Sequence, residues 1–112
     1  MKKSIKRSLD FLLLLSKSTP KQRHMLLQNA DKSQIVTLSE ICLNVLAGNV
    51  PVNVKKLRRY KNCIRKVACR KVSLKAKKKL LVQQSGGFLP LLIPAVVSAL
   101  AGMAGRAIGN RI

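Results

Sequence analysis

Residues 31–48, DKSQIVTLSEICLNVLAG, decide the fold class. Asp31 is a natural N-cap residue, and Gln34 stands three positions on. That spacing is a capping box, in which each side chain accepts the other residue's backbone N–H. Ile35, Leu38, Ile41, Cys42, Val45 and Leu46 then recur at the spacing of one helix face. Gly48 suits the left-handed position after a helix, and Pro51 prevents simple continuation. A helix with one apolar stripe must bury it against other elements.

The flanking sequence supplies those elements as further helices. On the C-terminal side Asn53 can cap a fourth helix, with Leu57, Tyr60, Ile64, Val67 and Ala68 on one face. Ser73 can cap a fifth, short helix. On the N-terminal side Ile5, Leu9, Leu12 and Leu13 share a face of a first helix ending near Ser16. Ser18 or Thr19 can cap a second, with Pro20 tolerated in its first turn and Met25-Leu26-Leu27 within it. Strand alternation is absent, as is any internal repeat. The reading is all-α: a small basic bundle of about five helices over residues 1–82. A flexible linker at 83–87 and a hydrophobic C-terminal helix within 88–112 follow.

Charge narrows the function. The 112 residues carry 23 Lys/Arg against Asp10, Asp31 and Glu40, a net charge of +20. Such imbalance opposes compaction unless a polyanion supplies counter-charge. Yet 47% of the chain is hydrophobic, above what disorder usually shows. Three scattered acids offer no paired-carboxylate site, and no nucleophile–base pair or metal cluster is legible, so the expectation is not an enzyme and no cofactor. Cys42, Cys63 and Cys69, with His24 as the sole histidine, lack zinc spacing and read as free thiols in a reducing compartment. The apolar run Phe11 to Leu15 is too short for a secretory signal.

The cations are concentrated. Lys55, Lys56, Arg58, Arg59, Lys61, Arg65, Lys66, Arg70, Lys71, Lys75, Lys77, Lys78 and Lys79 fall in one stretch with no acid. Solvated helix faces normally interleave Glu and Asp. Thirteen uninterrupted cations therefore point to a polyanion, with duplex DNA bound through its phosphates the leading candidate. Arg58, Arg59 and Asn62 could read bases from a recognition helix. The connection from Ala47 to Asn53 is too long for a helix-turn-helix, which argues against sequence-specific recognition. With Phe11, Tyr60 and Phe88 the only aromatics, single-strand binding by base stacking is disfavoured.

Leu80 to Gly105 is uncharged. Phe88, Leu89, Leu91, Leu92, Ile93, Val96, Val97 and Leu100 are candidate membrane-contacting residues. Ala101, Gly105 and Gly109 are spaced for close helix approach, which allows self-association through this segment. Pro90 and Pro94 should disturb the first turn and confine stable helix to about Ala95–Ile108. Four roles stay open: a tail anchor, an interfacial or membrane-disrupting segment, a partner-docking element, or a buried helix of the same domain.

The run Gly86-Gly87-Phe88-Leu89-Pro90-Leu91-Leu92-Ile93-Pro94, behind a basic stretch and before an Ala/Val/Gly-rich helix, resembles the adenovirus late core protein precursor pX, source of the DNA-condensing peptide mu. Similar proteins occur in adintoviruses and Polinton (Maverick) elements. The likeness covers about a quarter of the chain. It implies a virion core protein that condenses double-stranded DNA in the virion core or host nucleus. It also implies a viral cysteine protease as partner, cutting after Gly86-Gly87 and before Phe88, with Gln84 where the family usually has Met, Ile or Leu. The C-terminal segment would then meet membrane or capsid protein. The alternative is a small tail-anchored membrane protein whose basic domain lies on anionic lipid.

Overall fold

Among residues 8–50, 52–83 and 87–98, which the computed structural model describes, every regular element is a helix. Helix α1 spans Leu9–Lys17, α2 Pro20–Gln28, α3 Lys32–Leu46 and α4 Val54–Leu57. A 3-10 turn at Arg58–Tyr60 leads into α5, Lys61–Ala68, and then α6, Leu74–Gln83. Residues 89–98 form α7. Ile5, Gln84, Ser85, Gly86, Leu100 and the Ala101/Gly105/Gly109 pattern lie outside the described residues.

The ends of α3 form as the sequence implies. Asp31 Oδ1 accepts from Gln34 N–H at 2.9 Å, and Asp31 N–H donates to Gln34 Oε1 at 2.9 Å. At the other end Gly48 has φ +78°, a conformation that costs a residue without Cβ little. Gly48 N–H donates to the Val45 carbonyl and Asn49 N–H to that of Asn44, at 3.2 and 3.0 Å. These two bonds are a Schellman motif, closing carbonyls the helix itself cannot. Thr19 and Gln22 form a second capping box, at the start of α2. Asn53 and Ser73 cap α4 and α6.

Packing centres on α3, which lies against α5 and α6, while α2 also contacts α6. Leu12, Leu15, Leu27, Ile35, Leu38, Ile41, Cys42, Leu57, Ile64, Val67 and Leu81 are all buried in one cluster. Two side-chain bonds tie the periphery to it. Ser8 Oγ meets Thr37 Oγ1 at 3.2 Å, and His24 Nδ1 meets the Val82 carbonyl at 3.2 Å.

Three expectations need correction. The single fourth helix is broken: α4 gives way to the 3-10 turn before α5 begins. Residues three apart eclipse in a 3-10 turn, which brings Tyr60 into line with Leu57. Tyr60 then meets the Phe88 ring with centroids 5.8 Å apart. On α1 the fully buried residues are Leu12 and Leu15, and Leu13 is only half-buried. Finally, helix begins at 89, not Ala95, and both prolines lie inside it. Pro90 occupies the first turn, where no N–H is needed. Pro94 is exposed.

Sequence alone sets 88–112 apart as its own segment. In the structure Phe88, Leu89, Leu92, Ile93 and Val96 are fully buried and belong to the same cluster as Leu12 and Leu38. Their apolar area is removed from water by the bundle itself.

Candidate nucleic-acid interface

The basic surface is built by helices whose other side is core. Along α4, the 3-10 turn and α5, Leu57, Cys63, Ile64, Val67 and Ala68 point inward. The intervening positions Lys55, Lys56, Arg58, Arg59, Lys61, Arg65 and Lys66 are exposed. Arg70 and Lys71 continue the exposed run on the loop to α6, and Lys75 and Lys79 follow on α6. Eleven of the thirteen cations are thus open to solvent on a rigid scaffold.

Lys77 and Lys78 are different. Lys77 is only 4% exposed, and its Nζ donates to Ser39 Oγ at 2.7 Å. Lys78 is half-buried, and its Nζ donates to the Ala30 carbonyl between α2 and α3 at 3.0 Å. Both ammonium groups therefore tie α6 to α3 and its entry loop, and neither belongs with the eleven solvent-exposed cations. The sequence held the signal. Leu74, Lys77 and Leu81 are spaced as i, i+3 and i+7, so one lysine had to fall on the apolar stripe.

The Ser39–Lys77 pair is not arranged for catalysis. Ser39 donates its hydroxyl to the Val67 carbonyl at 2.7 Å while receiving a bond from the lysine. A serine nucleophile needs a lysine that accepts its proton, the reverse of this polarity. Among the described residues no group of three or more His, Cys, Asp or Glu is placed to hold a metal. The buried Cys42 thiol is pushed up to about 12, chiefly by desolvation. Burial likewise raises Cys63, which disfavours either as a thiolate at neutral pH.

A shallow groove of ≈ 690 Å³ runs through the basic surface, lined by Lys55, Lys56, Arg58, Arg59, Tyr60 and Leu91. Arg59 lies over the Tyr60 ring, 5.9 Å from its centroid. Tyr60 and Leu91 were not legible as groove residues, because the contact depends on α7 folding back beside the 3-10 turn. Asn62 is exposed beside Lys61 on the first turn of α5.

Of the expected membrane-contacting residues, Leu91 is 37% exposed, Val97 is half-buried, and Phe88, Leu89, Leu92, Ile93 and Val96 are inside the core. Among the described residues no helix is long and apolar enough to cross a membrane. At the expected cleavage point Gly87 is half-buried and Phe88 fully buried. No family model, curated protein or solved structure matches this chain.

Proposed function

We propose that this protein neutralises and condenses double-stranded DNA without reading its sequence, as a core protein of a virus or virus-like transposon. The observation that carries the reading is the exposed set Lys55, Lys56, Arg58, Arg59, Lys61, Arg65, Lys66, Arg70, Lys71, Lys75 and Lys79, unbroken by any acid in the sequence. Lys and Arg so arranged contact phosphates, which position a protein on DNA and carry no sequence information. The resemblance to the adenovirus late core protein precursor, adintovirus and Polinton proteins rests on residues 86–94. It adds the virion setting to a reading the charges already support.

In this proposal the Gly86-Gly87 hinge and apolar segment serve the domain first. The buried side chains from Phe88 to Val96 complete its core, and contact of those side chains with lipid or capsid requires them to undock. Cleavage at Gly87–Phe88 carries the same requirement, because a protease must draw Phe88 out of the core to bind an extended chain.

The test is binding of the full chain to several unrelated duplexes, read by fluorescence anisotropy. Affinities should agree within a few-fold across sequences. They should fall on the order of 10³-fold between about 50 and 200 mM salt if about six phosphates are neutralised. Affinities differing a hundredfold between duplexes, or insensitive to salt, would refute the reading.

A further inference from the structure

Leu14 on α1 and Met25 on α2 are the most exposed large apolar side chains among the described residues, at 54% and 56%. They stand in two adjoining shallow grooves that share Leu14, Met25 and Leu26. Asp10 and Phe11 line one groove, and Lys17 and Gln22 line the other. No cation from Lys55 to Lys79 lines either.

The charges at the two ends have a symmetry. Asp10, Leu14 and Lys17 are spaced as i, i+4 and i+7, so they form one stripe along α1. Asp10 and Lys17 are separated by about 10 Å along the helix axis, with Leu14 near the midpoint. The order acid, leucine, base changes sign about its centre. A second copy laid on this stripe by a two-fold rotation meets its own complement, Asp10 against Lys17 at both ends. Self-complementarity of this kind is what a two-fold interface requires.

Long-range charge selects the same face. Residues 1–50 hold eight cations, with Lys2, Lys3, Lys6 and Arg7 among them, against Asp10, Asp31 and Glu40, whereas 52–83 hold thirteen cations and no acid. Two copies of a chain with net charge +20 repel least where they approach through α1 and α2.

We propose that the α1–α2 strip is a self-association surface whose occupant is a second copy of this chain, seated antiparallel with Leu14 and Met25 central and Asp10 facing Lys17. This surface is distinct from the C-terminal segment, and the inference does not rest on DNA binding. It has a consequence for DNA all the same. A monomer neutralises one duplex locally, while a two-fold pair carries two basic surfaces and can bridge duplexes.

Sedimentation equilibrium of the full chain without DNA tests it, in about 0.15 M salt, where the Debye length is about 8 Å and distant repulsion is screened. The mass should rise with concentration from 12.3 kDa toward twice that value. Asp10→Lys and Lys17→Asp should each weaken association roughly tenfold, since each removes two symmetric ion pairs and creates two repulsions. The double reversal should restore it, and Leu14→Lys should abolish it with helical circular dichroism intact. A constant mass of 12.3 kDa at all concentrations overturns the proposal. So does a double reversal as weak as the single ones, or a Leu14→Lys chain that still pairs.

Discussion

Lys77 on α6 reaches Ser39 on α3 with a 2.7 Å bond, and Ser39 passes a second 2.7 Å bond to the Val67 carbonyl near the end of α5. One buried cation thereby joins three helices. The Val67 carbonyl reached through Ser39 lies in the last turn of α5, where the helix supplies no partner of its own and Ser39 provides one.

Ser39→Ala should therefore cost about 1–3 kcal/mol in urea denaturation, because it strips partners from both the ammonium and the carbonyl. Lys77 and Lys79 should separate in a salt titration of DNA binding. Lys79→Ala should flatten the log–log slope by about 0.9 if that residue contacts one phosphate, and Lys77→Met should leave the slope unchanged. Equal slope changes for the two variants would contradict the assignment of Lys77 to the core.

Phe88 is fully buried against Tyr60, so Phe88→Ala should destabilise the domain by about 3–5 kcal/mol. A chain ending at Gln83 should melt at a markedly lower temperature than the full chain, because Leu89, Leu92, Ile93 and Val96 leave with the deleted segment. Coincident melting curves by circular dichroism would show that α7 adds nothing to the bundle.

Asp31 predicts a pH response. The backbone N–H of Gln34, then the Ser33 hydroxyl, hold its carboxyl below the usual aspartate range. A group with a lower pKa folded than unfolded stabilises fully above its unfolded pKa, and this contribution is lost as pH falls through the folded pKa. Asp31→Asn keeps an acceptor at the cap without the titration. The difference in melting temperature between the original chain and this variant should be constant near neutral pH and shrink in strong acid. A difference independent of pH would remove Asp31 from the account.

The thiols should react in order. Cys69 is half-buried, while Cys42 is fully enclosed with its pKa pushed up to about 12. Iodoacetamide should label Cys69 first and Cys42 only after denaturation, as read by peptide mass spectrometry. Rapid native labelling of Cys42 would mean that α3 and α5 do not pack as described.

Local signals were readable from the sequence wherever neighbours in the chain decide the outcome. The Asp31–Gln34 box, the Gly48 stop and the Asn53 and Ser73 caps need only a few adjacent residues, and all are present. The Thr19–Gln22 box was equally legible, having the same spacing. The inward turn of Lys77 followed from its place between Leu74 and Leu81, but charge argued the other way. What sequence could not settle is where Phe88 to Val96 go. Nine uncharged residues suit lipid or a protein core alike, and the choice depends on whether the other helices leave an apolar face uncovered. For the same reason Tyr60 and Leu91 could not be placed in the basic groove.

The late position of α7 in the chain matters for synthesis. Leu81, the last core residue of α6, leaves the peptidyl transferase centre before any part of the segment that finishes the core. At about 5–20 residues per second, Val96 follows on the order of one to three seconds later. During that interval the stretch from Lys55 to Lys79 is a synthesised polycation beside ribosomal RNA without the residues that finish the core. Vectorial emergence thus leaves the bundle open when nonspecific RNA contact is closest, and closure waits for almost the last of the described residues.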